Sequence, residues 1–289
     1  MSAVPSMLVG SAALGAIYAV VALGFVVLFR STGVLSLAQG AFMVFGALTF
    51  DTVIEGRVHN FYLALLISMA AAGLAGYLAN ALIYRWAAPV DPIKLSISTV
   101  GLQLVCVEIA YLIWGSAPRS YPTVLSFKGL GGTPISVEDI VTTAACLVGC
   151  FAVIVLLRWT RLGVLMRATA DGPTLAEQSG IRVGAMRSIA WTLAAVLAGL
   201  GGVCYSMGTQ LDPETLSNIG LAVFPAIVLG GIDSVGGAIV GGRILGLLDG
   251  IIGTYVGGEW QDPVAYLILL GVLMVRPTGL FGSKEIARI

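Results

Sequence analysis

Charge is what this sequence has least of. Of its 289 residues, 10% are Asp, Glu, Lys or Arg. A soluble domain carries roughly 25%, so these charges are too few to cover a water-facing surface. Fifteen basic residues balance fifteen acidic ones, and no overall field draws nucleic acid toward the chain. Histidine occurs once, at His59, which reads as a solvated residue in an external connection. The phosphate-cradling pattern Gly-x-x-x-x-Gly-Lys-Ser/Thr is absent, so the chain has no P-loop with which to hold ATP. Cys106, Cys146, Cys150 and Cys204 all lie inside apolar runs. Cys146 and Cys150 are one helical turn apart, but no His or carboxylate shares their run. They read as small packing thiols, not as metal ligands or a disulfide framework.

What is abundant is apolar surface and glycine. The hydrophobic fraction is 58%, there are 38 glycines, and the mean hydropathy is +0.98. About 20 apolar residues cross a bilayer core. Candidate spans are 7–29, 33–54, 61–84, 95–114, 138–157 and 188–207, followed by shorter pieces at 217–231, 236–253 and 262–276. The expected fold is all-α: a polytopic membrane helix bundle of eight to nine spans, forming a single transmembrane domain over 1–289. The first run is too long for a cleaved signal and reads as a spanning helix. Gly and small polar residues interrupt the pieces around 33–46 and 217–236. Discontinuous helices are expected there, where protein or a cavity lines the break.

The basic residues fix an orientation. Arg158, Arg161, Arg167, Arg182 and Arg187 crowd one connection, and Arg276, Lys284 and Arg288 lie in the tail. Placing both in the cytoplasm also puts Arg30, Arg85 and Lys94 inside. Arg57, Arg119 and Lys128 are left outside, and Arg243 falls within a span. This satisfies the positive-inside rule with the N-terminus outside and the C-terminus cytoplasmic. The inward acids Asp91, Asp171, Glu177, Asp233 and Glu285 are scattered singly. They form no carboxylate cluster of the kind a membrane-embedded transferase needs.

The connection 158–187 is the most informative stretch. Pro173 and Gly180 bracket a short helix over 173–179, with proline near its start and glycine just past its end. A helix that short is unstable in water alone. Leu175, Ala176 and Ile181 would offer it a small apolar face for docking; the alternative is a plain loop with a stray turn. Further along, Gly242, Gly246 and Gly250 recur every four residues and make one face that another helix can approach closely. That face is either static packing or a surface that slides.

Polar groups at membrane depth are the candidates for a transport path. Glu108, Arg243 and Asp249 are costly in lipid. Arg243 and Asp249 are six residues apart and lie on different helix faces. Each lines a path or serves an ion pair or a snorkelling role. Ser36, Gln39 and Gly40 fall in the broken second span, where exposed backbone groups can serve a midplane site. Interhelical hydrogen bonding is the other reading for them.

Several strings carry a family resemblance. Arg167-Ala168-Thr-Ala-Asp171-Gly-Pro173-Thr-Leu175-Ala176-Glu-Gln-Ser-Gly180-Ile181 resembles the cytoplasmic coupling loop of ABC-importer permeases of the branched-chain amino acid type. Gly15-Ala-Ile-Tyr18-Ala-Val-Val-Ala-Leu-Gly24 resembles that family's first helix. The run from Phe224 to Gly242, with Gly230, Gly231, Gly236 and Gly237, resembles its late Gly-rich hairpin, and Arg276-Pro-Thr-Gly-Leu-Phe-Gly282 also fits. The order is kept over nearly the whole chain, and the length matches the shorter of the family's two paralogous permeases. Where the family has Asn-Phe-Ala-His-Gly, this chain has Ser36-Leu37-Ala38-Gln39-Gly40.

The resemblance implies a heteromeric importer in the cell (inner) membrane. A second permease, expected to be a paralogue, would complete the pore. Two cytoplasmic ATPases would carry ATP and magnesium, and an external binding protein would deliver the solute. This chain would bind no cofactor and catalyse nothing. Its contacts would be lipid and these subunits, with residues 167–181 coupling it to an ATPase. The rival is a secondary transporter driven by an ion gradient. That would call for paired acids at midplane, and only Glu108 and Asp249 are available.

Overall fold

The computed structural model describes residues 3–56, 60–87, 92–115, 117, 119 and 137–282. His59, Arg57, Lys128, Lys284, Arg288, Asp91 and Glu285 lie outside them. The chain is all-α. In order the helices are α1 (Ala3–Thr32), α2 (Gln39–Glu55), α3 (Phe61–Ala87), α4 (Pro92–Trp114), α5 (Val137–Trp159), α6 (Arg161–Asp171), α7 (Pro173–Gln178), α8 (Val183–Ser206), α9 (Pro213–Ala222), α10 (Phe224–Gly230), α11 (Val235–Tyr255) and α12 (Gln261–Val275). Among the described residues, extended pairing is confined to one bridge, Arg119 with Leu211.

Among the described residues, seven stretches are long and apolar enough to cross a membrane: α1, α3, α4, α5, α8, α9 with α10, and α11. The expectation of eight to nine differs by two short helices. α2 has 17 residues and α12 has 15. At 1.5 Å per residue, α2 is about 25 Å long, less than a hydrocarbon core of about 30 Å.

Both expected interruptions are present. The span drawn at 33–54 becomes helical only at Gln39. Gly33, at φ +68°, ends α1, and 34–38 is irregular. Its backbone donors are met by hydroxyls. Val34 N–H donates to Thr32 Oγ1 (3.1 Å), Leu35 N–H to Ser96 Oγ of α4 (3.0 Å), and Leu37 N–H to Thr99 Oγ1 (2.9 Å). An unmatched donor in hydrocarbon costs several kcal/mol, so a break survives only where such partners exist. The second interruption separates α9 from α10 at Val223. Pro225 stands in the first turn of α10, supplying no N–H and crowding the residue before it.

α1 and α8 form the centre. α1 packs on α11, α8 and α5, while α8 packs on α3, α2 and α1. Trp191 of α8 is fully buried and meets Phe42 of α2 edge-on, with ring centroids 6.4 Å apart. α3, α4 and α5 lie outside and expose Leu66, Leu74, Leu104, Leu112, Val148 and Phe151. Water would not tolerate so much apolar surface, but lipid or a second subunit would cover it. Along the α1–α11 seam the backbones touch. A Cβ on Gly242 would fall on Ala19, one on Gly246 on Gly15, and one on Gly250 on Ser11. After α12 the chain folds back onto α10, where Leu280 and Phe281 N–H donate to Leu229 and Gly230 carbonyls (2.9 and 3.0 Å). Gly231, at φ +106°, lies against Gly282 in this contact.

Candidate functional site

The connection between α5 and α8 is mostly helical, not a loop. Thr160 caps α6, its hydroxyl accepting from Gly163 N–H. α6 buries Gly163, Met166 and Thr169 and packs on α1, α5 and α8. Arg167 is exposed, with its Nε donating to Gly163 O (3.2 Å), while Ala168 is half-buried and Asp171 exposed. The chain reverses at Gly172, and Pro173 begins α7. At the far end Gly180 has φ +80°. Its N–H donates to Glu177 O (2.9 Å), and Ile181 N–H donates to Ala176 O (3.0 Å). These two bonds form a Schellman closure, which a residue with a Cβ would strain.

The apolar residues of α7 do not share one outward face. Ala176 is 4% exposed and turned into the chain, Ile181 is half-buried, and Leu175 is 70% exposed. Leu175 is therefore the apolar group that this six-residue helix offers to anything outside.

The polar candidates of the second span converge. Gln39 opens α2 with 0% exposure, and neither its Oε1 nor its Nε2 has a partner. Ser36 is buried beside it in the break. Gly40 lies against the backbone of Ser217 and Gly220 in α9. Gln103 Nε2 of α4 donates to Ser217 Oγ (2.9 Å), leaving its own Oε1 unpartnered. Buried polar atoms are nearly always paired, so unpaired amide atoms on two neighbouring elements set this place apart.

Glu108 and Asp249 are not in that cluster. Glu108 is on the exposed side of α4. Asp249 is 6% exposed, between α11 and α1, where the Tyr18 hydroxyl donates to its carboxylate. Gln261 Nε2 ties α12 to Asp249 O (2.9 Å). Arg243 is half-buried on α11, one turn from neither of them. Of the glycines, Gly230 meets Gly237 closely between α10 and α11, whereas Gly236 has open space around it.

Comparison with known proteins places this architecture. The family described as branched-chain amino acid transport system / permease component matches residues 7–275. The chain belongs to this family. Its relatives include the high-affinity branched-chain amino acid transport permease LivH of Escherichia coli, 25% identical over 301 residues, covering 96% of this chain and 94% of that one. The corresponding BraD of Pseudomonas aeruginosa is 25% identical over 299 residues, covering 98% and 97%. A guanosine ABC transporter permease of Bacillus subtilis, NupQ, is 29% identical over 182 residues, covering 58% and 56%. The chain is thus a multi-pass permease subunit of an ABC importer, a type that works with ATPase and substrate-binding components. The secondary-transporter reading is not favoured.

The sequence reading of the permease missed one ion pair. Asp51 of α2, 0% exposed, holds Arg119 at 3.2 Å. Arg119 also donates to Trp114 O (2.7 Å) and exchanges backbone bonds with Leu211, while Trp114 Nε1 donates to Thr52 Oγ1 (2.7 Å). The pair locks α2, the end of α4 and the lead into α9. An acid inside the apolar run 33–54 was the available signal.

Proposed function

We propose that this permease forms one wall of an alternating-access path for branched-chain or other hydrophobic amino acids, or a related small solute. A second permease, a paralogue, supplies the facing wall. Two cytoplasmic ATPases carry ATP and magnesium and perform all hydrolysis, and an extracytoplasmic binding protein delivers the solute. This chain is one domain over 1–289, catalyses nothing and holds no cofactor. Its N-terminus is outside and its C-terminus cytoplasmic.

Residues 167–181 couple it to an ATPase, with α7 seated in a cleft of that subunit. Arg167, Ala168 and Asp171 lead into the contact, Leu175 makes it, and Ala176 and Ile181 hold α7 to the chain. The path runs by Ser36, Gln39 and Gly40, where the irregular backbone before α2 and the spare amide atoms of Gln39 suit a polar solute at depth. The observation that carries the reading is α7 itself. It is a helix too short to stand alone, begun by Pro173 and closed by the turn at Gly180, and it presents one exposed leucine within a connection that carries five arginines. When ATP closes the ATPase pair, the α7 helices move with it and the spans exchange their outward and inward openings.

The test is purification with associated chains, followed by uptake in proteoliposomes. Uptake should require ATP and the binding protein, and whatever that protein holds names the solute. Solute movement by the isolated chain, or by an ion gradient without ATP, would overturn the proposal.

A further inference from the structure

At the α6 end of the bundle is a cavity of about 450 Å³ that shares Arg167 with the coupling segment and is otherwise not used by the transport reading. Three arginines from three helices stand on its wall: Arg30 in the last turn of α1, Arg158 in the last turn of α5, and Arg167 of α6. Asp233 is the one carboxylate among its described lining residues. Neither Arg30 nor Arg158 is in an ion pair with a described carboxylate. The start of α11 closes the site. Ser234 caps that helix by accepting from Gly237 N–H (3.0 Å), which leaves the first-turn amides of Val235 and Gly236 directed outward with the positive end of a 21-residue helix. Gly236 has open space around it, so a ligand can approach its backbone. Apart from Ser31, the remaining wall is apolar, with Val27, Ile154, Leu157, Met166 and Phe281 on it.

We infer that this cavity binds the headgroup of an anionic phospholipid. The observations agree on both halves of such a molecule. Guanidiniums and helix-end amides suit a phosphodiester, and the apolar wall suits the glycerol and first acyl carbons. The helix that carries Arg158 exposes apolar and aromatic residues. α5 turns Val148 and Phe151 outward, and Trp159 beside Arg158 is 79% exposed, as an aromatic anchor at a headgroup layer would be. A free phosphate would have no use for the apolar wall. Arg167 shares α6 with the approach to α7, so a bound headgroup steadies the element that carries the coupling helix.

The inference uses the cytoplasmic orientation proposed above, and the test does not depend on it. The assembled transporter is placed in nanodiscs of phosphatidylcholine doped with phosphatidylglycerol in both leaflets, and retained lipid is counted by native mass spectrometry. Phosphatidylglycerol should be retained in preference. Arg30→Gln with Arg158→Gln should cut that preference, by about fivefold for each arginine removed. Raising the salt should erase it in the unsubstituted protein. Equal retention of the two lipids, or a preference unchanged by the double substitution or by salt, overturns the inference. Displacement of the lipid by millimolar inorganic phosphate would make this a small-anion site and overturn the lipid assignment. If the Gln variant fails to assemble, Arg30→Lys with Arg158→Lys keeps the charge and should keep the preference; its loss there would also refute the electrostatic account. Missing ATPase partners in the preparation would count against the proposed function and leave the lipid count readable.

Discussion

The sharpest test of the coupling assignment compares two adjacent residues of α7. Leu175 is 70% exposed in the isolated chain and Ala176 is 4% exposed. Burying a leucine side chain completely is worth about 2 kcal/mol, so covering what Leu175 still exposes would contribute about 1–1.5 kcal/mol at each docked α7. Leu175→Ala should lose most of this and weaken association with the ATPase by about tenfold. The fold itself should not notice, because an exposed substitution of this kind moves stability by about 0.5 kcal/mol or less. Ala176→Leu should do the reverse. It overfills a packed position under α7 and costs about 1–3 kcal/mol in the chain, so thermal unfolding falls before docking is measured. The assay is titration of labelled ATPase subunit onto the permease in nanodiscs, beside a detergent melting curve for each variant. The reasoning fails if Leu175→Ala binds as tightly as the unsubstituted chain, or if its weakening is matched by an equal loss of thermal stability.

Three further outcomes follow from the packing. Gly246→Ala should force α1 and α11 apart, since its Cβ would fall on Gly15; a loss of about 3 kcal/mol is expected, whereas Gly236→Ala, with nothing nearby, should leave the melting midpoint unchanged. Arg119→Gln should strand the buried Asp51 carboxylate and cost about 2 kcal/mol, reduced because the arginine is partly exposed; adding Asp51→Asn should recover stability, and a double variant no better than the single would refute the pair's role. Gln39→Leu removes two buried amide atoms that have no partners, so the melting midpoint should hold or rise by an amount equivalent to about 1–3 kcal/mol, while ATP-driven uptake falls; a drop in stability would show that the amide serves the fold.

What was legible in the sequence was what depends on a residue and its immediate neighbours. Pro173 and Gly180 bracketed α7 correctly because both act through their own backbone, one lacking an N–H and one accepting φ +80°. The four-residue spacing of Gly242, Gly246 and Gly250 survived as a face because a helix repeats nearly at that interval. The inward turn of Ala176 was illegible, since six residues are too few for a periodicity to declare a side. α6 was missed as a separate helix because its apolar residues are diluted by charge, so no hydropathy run marks it. The second span was drawn from 33 because a hydropathy window reads the transfer free energy of side chains and does not ask where backbone donors go. Leu35 and Leu37 are apolar enough for a helix, yet their N–H groups are taken by Ser96 and Thr99, more than sixty residues later. Asp51 and Arg119 are likewise joined across 68 positions. Ser96 and Thr99 lie one helical turn apart on α4, and the amides they take, those of Leu35 and Leu37, are two positions apart in the break. A helical hydroxyl pair can therefore replace the missing helix bonds of a break, and scanning neighbouring spans for such pairs is the physical route to locating breaks that hydropathy draws as continuous.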